Sequence, residues 1–249
     1  MAPNWKRAII VGASGGIGEQ IARKLASGGC RVALVGRRED KLRQIAVDIN
    51  GVSLNLALPF PSDVRDFDAP AAKVEECVRA LGGLDLVVYS AGVMPRIGPT
   101  EYETAKDRLI VETNLIGAMA WLNPVAKRFE RAGGGTIVGI GSVSGDRGRR
   151  GNPAYSASKA GLECYLESLR NRLGRRGVSV VTVKPGPVET EMTRELGRLP
   201  GMIPAGRAAD LILKAARKFG KTAYIPGRWW LASKIMLSIP SRIFRRLPL

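Results

Sequence analysis

Short, nearly continuous apolar runs rich in β-branched residues alternate along the chain with longer stretches whose apolar positions recur at helical spacing. Ala8 to Val11, Arg31 to Val35, Leu84 to Tyr89, Thr136 to Ile140 and Val178 to Val183 predict strands, and their lack of polar alternation predicts a sheet covered on both faces. A weaker strand is expected at Val52 to Leu58, bounded by Pro59 and Pro61. Helical periodicity falls near 17–27, 39–49, 69–81, 101–131, 153–173 and 205–219. Such alternation argues for right-handed crossovers, and hence for an α/β fold of Rossmann type: a doubly wound parallel β-sheet with helices on both faces. No repeat or linker divides the chain, and Pro185 to Gly206 reads as an excursion loop that returns to the same sheet.

With 249 residues the chain can bury a sizeable core without disulfides, and 45% hydrophobic with 24% charged residues excludes a disordered or collagen-like chain. There is no histidine, which removes Ser-His-Asp and Cys-His nucleophile systems, histidine bases and every His-ligated zinc site. Cys30, Cys77 and Cys164 show no CxxC spacing, so neither a disulfide framework nor a four-cysteine metal site is expected. They read as free thiols in a reducing, cytoplasmic compartment, and no metal is expected. The net charge of +17 implies attraction to something anionic, whether nucleic acid, anionic lipid or a phosphorylated small molecule. Every charged residue after Asp210 is basic. No apolar run approaches the ~20 residues of a membrane span, and glycines at 12, 15, 16 and 18 break the apolar start too soon for a signal peptide.

Gly12-Ala13-Ser14-Gly15-Gly16-Ile17-Gly18 follows the first strand and opens a helix. In that context Gly12 permits a tight turn, Gly16 lets the backbone approach a pyrophosphate, and Gly18 lets the helix pack closely on the strand. The alternative is a flexible turn with no ligand. After the second strand, where a site for NAD would place an acid on the ribose 2′-hydroxyl, stand Gly36, Arg37 and Arg38. A guanidinium pairs with a 2′-phosphate and offers no acceptor to a free hydroxyl, so NADP(H) is expected in preference to NAD(H). Against this, the two arginines would be a solvated helix start, with Glu39 as the acid.

Tyr155 and Lys159 lie four apart in a strongly helical stretch, so both project from one face, and Ser142 follows the strand Thr136 to Ile140. A tyrosine with pKa near ~10 is a poor acid at neutral pH, but a neighbouring ammonium would lower that value. Taken singly, each of these residues is as readily a surface or turn residue.

Together the motifs resemble the short-chain dehydrogenase/reductase family. The resemblance runs to about Pro226: glycines 12, 16 and 18, Asp63-Val64, Ser90-Ala91-Gly92, Asn114, Ser142, Tyr155-x-x-x-Lys159, and Pro185-Gly186 followed by Thr190. Two positions depart from it, Ser90 in place of an Asn and Val11 in place of a Thr, both chiefly structural in the family. The resemblance implies a catalytic tetrad of Asn114, Ser142, Tyr155 and Lys159, with Asn114 positioning a water. Cofactor contacts would come from Gly12, Ser14, Gly16, Ile17, Gly18, Arg37 and Arg38. Asp63 and Val64 at the adenine would add to these, with Ser90, Ala91 and Gly92, then Tyr155 and Lys159, and Pro185, Gly186, Val188 and Thr190 at the nicotinamide. A homodimer or homotetramer is expected, with no nucleic-acid partner.

The expected layout is a nucleotide-binding dehydrogenase domain over 1–227, with a substrate lid about 187–208, and a basic amphipathic extension over 228–249. Met192, Leu196, Leu199, Met202 and Ile203 either give the lid an apolar inner surface for a lipophilic ketone or pack it on the body. In the extension, Trp229 and Trp230 with neighbouring bases suit an interfacial helix on an anionic membrane, or else a cover over a subunit contact or the cleft. Three functions follow: an NADP(H)-dependent carbonyl reductase or alcohol dehydrogenase of a lipophilic substrate, a soluble 3-oxoacyl-thioester reductase, and a nucleotide-sensing or nucleic-acid-binding protein on the same fold.

Overall fold

The structure is a computed structural model, and it describes residues 4–52, 56–98, 100–197, 199–218 and 220–247. Strands β1 (Arg7–Val11), β2 (Arg31–Gly36), β3 (Ala57–Pro61), β4 (Leu86–Tyr89), β5 (Gly135–Ile140) and β6 (Val178–Pro185) are parallel neighbours in the order β3-β2-β1-β4-β5-β6. The order reverses between β1 and β4, so the loops leaving these two strands part at the carboxyl edge of the sheet, where α/β proteins form their ligand crevice. One face is covered by α1 (Gly16–Ser27), α2 (Glu39–Val52) and α7 (Ala205–Ala216), the other by α3 (Pro70–Leu81), α5 (Gly117–Ala132) and α6 (Pro153–Leu173). Side chains of β1 alternate between the two cores: Ala8 and Ile10 enter one, Ile9 and Val11 the other, which is why the run is continuously apolar.

Three expectations change. The weak strand expected at Val52 to Leu58 falls partly outside the described residues, and α2 runs through Val52 with pairing beginning at Ala57. Pro59 and Pro61, expected to bound that strand, lie inside it. β3 is an edge strand bonded to β2 through Leu56 and Ser62, so both prolines sit at positions facing the open edge, where no ladder N–H is needed. The helix expected over 101–131 is α4 (Thr104–Val111), a π turn (Glu112–Ile116) and α5 end to end. This joined run is long and apolar enough by length and composition to cross a membrane, but half of its most apolar window is buried, with Trp121, Leu122, Val125 and Phe129 packed in the core.

A seventh strand unforeseen in the sequence, β9 (Thr222–Ile225), pairs with β6. Within the excursion loop, β7 (Val188–Glu189) and β8 (Ile203–Pro204) pair in parallel and close the base of a short 3-10 segment, Glu191–Leu196. The extension forms α8 (Arg228–Ser238) and α9 (Ser241–Phe244), divided at Pro240 as its sequence implies. Cys30, Cys77 and Cys164 are free thiols, and burial pushes the first two up to about 12.

Candidate active site

The loops after β1, β2, β4, β5 and β6 surround a cleft of about 780 Å³ at the carboxyl edge of the sheet. Its floor is the glycine turn. Gly12 has φ +90°, and a Cβ there would lie 2.5 Å from the Ala91 backbone nitrogen, so only glycine lets the β1 and β4 loops pass this closely. A Cβ on Gly18 would stand 2.2 Å from the Gly12 carbonyl oxygen, which is the close helix packing the motif predicts. Gly16 faces Thr190 across the cleft. A backbone approach without side chains at the start of α1 suits a pyrophosphate.

At the end of β2, Arg37 and Arg38 are exposed and both line the cleft with Ser14. Arg38 Nη2 donates to the Ser14 carbonyl at 2.8 Å, while Nη1 pairs with Glu191 Oε2 of the lid at 2.6 Å. Glu39, the alternative acid, is bound to Arg43 one turn along α2 and does not line the cleft. Val64, Ser90, Ala91 and Gly92 line it as expected, as do Ile17, Pro185, Gly186, Val188 and Thr190. Asp63 does not: its carboxylate is held by Arg65, 2.9 Å from Nη2. The nearby cations hold its pKa below the ordinary value against burial. Of the expected lid surface, Met192, Leu196 and Leu199 face the cleft, whereas Ile203 is buried in the core beside α7.

The opposite wall is α6. Pro153 occupies its first turn and Asn152 Oδ1 accepts the Tyr155 backbone N–H at 3.0 Å, so the tyrosine sits in a capped first turn. Lys159 is 5% exposed, lies 5.7 Å from the Tyr155 ring centroid and donates to the Ile140 carbonyl at 2.8 Å. Glu163, one turn further, accepts the Ser142 N–H through Oε1 at 2.9 Å and takes Lys184 on Oε2 at 2.8 Å. Lys184 also binds Asp146, which accepts the Tyr224 hydroxyl at 3.1 Å. Ser142 Oγ accepts from the Ser144 N–H at 3.1 Å, which leaves its hydrogen available to a ligand. Asn114, fully buried in the π turn, spends both amide hydrogens on the Val93 carbonyl and Ser158 Oγ, and its oxygen accepts the Val93 N–H.

The protonation pattern departs from the expectation in one respect. Burial raises the Tyr155 pKa, Ser142 works against this, and Glu163 adds to it. The ammonium that was expected to lower it directs its hydrogen bond to Ile140, away from the phenol. Burial also lowers Lys159 to about 8, with Glu163 opposing. In Lys184, burial is outweighed by Asp146 and Glu163 and the pKa rises; in Glu163 burial prevails and raises the carboxyl.

Asn152 and Glu163 were not singled out in the sequence. Asn152 carries a local signal, an Asn-Pro pair opening a helix, and Glu163 shares the helical face of Tyr155 and Lys159. Trp229, expected with Trp230 as an interfacial anchor or a cover, lines the cleft. It turns inward: a Cβ on Gly186 would lie 2.0 Å from its Nε1. Trp230, expected beside it as a second anchor, is 53% exposed.

A parallel sheet with this crevice, glycine turn and Ser-Tyr-Lys wall defines a nucleotide-dependent oxidoreductase. The family pattern of the short chain dehydrogenases matches residues 6–199, and the chain belongs to that family. It is 33% identical over 246 residues to an uncharacterized oxidoreductase of Myxococcus xanthus, covering 98% of this chain and 94% of that one. A trans-4-hydroxycyclohexanecarboxylate dehydrogenase of Sinomonas cyclohexanicum is 33% identical over 210 residues, 82% of this chain and 81% of its own. The crystal structure of a short-chain type dehydrogenase/reductase from Mycobacterium marinum superposes with a TM-score of 0.82 at 28% identity, over 90% of this chain and 95% of that one. Membership implies a nicotinamide cofactor and a small-molecule substrate.

The Lys159 shift makes stability depend on pH. Below pH 8 both folded and unfolded chains hold the proton and the fold bears a buried ammonium. Between about 8 and the ordinary 10.5 only the unfolded chain keeps it, so stability rises with pH across that window. The stability of the parent relative to Lys159→Met is therefore expected to rise by about 1–3 kcal/mol between pH 7 and pH 10, on top of a pH-independent cost of leaving the Ile140 carbonyl unmet in the variant. Urea melts at the two pH values check this, and an equal gap at both would contradict it.

Proposed function

We propose that the protein is an NADP(H)-dependent oxidoreductase that interconverts a ketone and a secondary alcohol on a lipophilic substrate. The reading rests on one observation: Ser142, Tyr155 and Lys159 share a cleft with the glycine turn after β1 and with Arg37 and Arg38 after β2. The relative from Sinomonas acts, by its name, on a secondary alcohol. Gly12, Ser14, Gly16, Ile17 and Gly18 would hold the pyrophosphate, Val64 and Ser90 to Gly92 the adenosine side, and Pro185 to Thr190 the nicotinamide. When bound, the nicotinamide supplies hydride chemistry.

The chain's own residues supply the proton and the orientation. Ser142 Oγ, with its lone pair engaged by the Ser144 N–H, donates to the substrate oxygen as negative charge develops there. Tyr155 delivers the proton to that oxygen, or removes it in the reverse direction. A neutral phenol, favoured by burial, is the form needed to donate. Lys159, set near 8, sits beside Gly92, where it would hold the ribose hydroxyls and resupply the proton. Asn114 pins the Val93 loop to Ser158 and thereby sets the Gly92 wall, and with its amide hydrogens spent it would position a water through an oxygen.

Arg37 carries the cofactor preference. Arg38 already binds Ser14 and Glu191, whereas the exposed Arg37 makes no side-chain hydrogen bond or ion pair among the described residues. The apolar lid residues favour a lipophilic substrate over the acyl-thioester alternative. The outward face of α8 and α9, with Trp230, Leu231, Ile235 and Ile243 exposed near Lys234 and Arg242, supports peripheral attachment to an anionic membrane.

Tyr155→Phe is expected to keep cofactor binding and lose most turnover, by about 100-fold or more, since only the proton donor is removed; comparable ketone reduction by the variant would sink the acid assignment. NADPH should bind roughly tenfold to a hundredfold more tightly than NADH, and Arg37→Asp should abolish the difference, as titration of both cofactors would show. Equal affinities in the parent would make Arg37 a surface residue. Cosedimentation with anionic vesicles at low salt should be lost in a Trp230→Ser, Ile235→Ser double variant that still binds NADPH; a parent that stays in the supernatant rules out the membrane reading.

A further inference from the structure

The cleft is lined on its substrate side by a cation with one edge unmet among the described residues. Arg149 lies on the loop between β5 and α6, seven residues after Ser142 and six before Tyr155, and lines the cleft with both. Its Nε and Nη2 are buried and have no hydrogen-bond partner among the described residues. These two nitrogens form one edge of the guanidinium, with parallel N–H bonds at the spacing of a carboxylate's oxygens. Arginine keeps its charge under protein conditions, so burying this edge unmet is costly. Asp146, the acid acting on it, is not within ion-pair distance; Lys184 and Tyr224 both take its Oδ1, and its Oδ2 is likewise buried without a partner among the described residues. The other acids lining the cleft are on the lid: Glu191, held by Arg38, and the exposed Glu195.

A second unmet donor faces the same cleft. Trp229 Nε1 is buried without a partner, held against Gly186 by α8. The helix is fixed there by Arg147, whose Nη1 donates to the carbonyls of Met236 at 2.5 Å and Ile239 at 2.7 Å, and whose guanidinium stacks 3.8 Å over Phe244. Both of these groups are donors, and the charge on Arg149 suits an anion from outside the chain as its acceptor.

We propose that Arg149 anchors the carboxylate of the substrate, which is a keto acid or hydroxy acid with an apolar body, its ketone or alcohol presented to Ser142 and Tyr155. This rests on the reaction assigned above and narrows its substrate class. The carboxylate takes no part in the redox step. Arg149 sets which molecules enter and how they lie, while Met94, Val143 and Leu199 line the cleft around the apolar body.

The test compares keto acids of graded chain length with their methyl esters, using the full-length enzyme and NADPH. The acid should exceed its ester in kcat/KM by roughly tenfold to a hundredfold, chiefly through KM. Arg149→Met should collapse that ratio towards one, and Arg149→Lys should restore part of it. If Arg149 serves only to balance Asp146, the Met variant lowers acid and ester together and the ratio persists, which overturns the proposal. Calorimetry of the same pairs on NADPH-loaded Tyr155→Phe separates anchor from reaction. Arg149-dependent binding of acids without turnover by the parent keeps the anchor and removes the reaction, whereas reduction of esters and acids alike keeps the reaction and removes the anchor. Neither binding nor turnover removes both.

Discussion

The carboxyl end of β5 is held open by one face of α6. Tyr155, Lys159 and Glu163 follow at intervals of four, and the last two spend their polar ends on the strand's own backbone: Lys159 on the Ile140 carbonyl, Glu163 on the Ser142 N–H. A strand end that leaves a sheet has orphan backbone groups, and these would be costly to bury unmet. Charged side chains from the neighbouring helix satisfy them and simultaneously carry the tyrosine to the serine. Burying those charges is itself costly, and Lys184, reaching from β6 to both Glu163 and Asp146, offsets part of it. The site and the β5–β6 joint are thus one polar network, in which a change at Glu163 reaches Ser142 without touching substrate.

The cofactor end depends on the opposite device, the removal of side chains. At the reversal of strand order the β1 and β4 loops pass so closely that Gly12 meets Ala91 and Gly18 meets Gly12. Closeness at this point leaves the N-terminus of α1 bare and aimed into the crevice, where its free N–H groups favour an anion. Arg38 bridges from this turn to Glu191, so the cofactor end and the lid are joined by an exposed ion pair of the kind that yields readily to a stronger anion.

The extension is part of the cleft as well as of the surface. Arg147 satisfies carbonyls at the end of α8, and the helix so held presents Trp229 to Gly186 while Trp230 faces outward. One helix therefore gives the cleft a wall and the exterior an apolar stripe.

Composition and periodicity alone determined the strand and helix alternation, the glycine turn, the Tyr155–Lys159 pair and the absence of any histidine chemistry. These are local signals: continuous apolar runs report burial on both faces, and residues four apart share a helical face whatever surrounds them. What only the tertiary structure decided are relations between distant segments. β9 is too short to announce itself and is defined by its pairing with β6. The prolines of β3 are tolerated because that strand ends up at the edge. Burial raises Tyr155, where its lysine neighbour was expected to lower it, and no spacing reveals burial. Arg149 reads as an ordinary loop residue, and Trp229 as an anchor or cover, until the fold removes their water and leaves their donors unpartnered beside one cleft, because desolvation is a property of the whole packed chain and not of any segment of it.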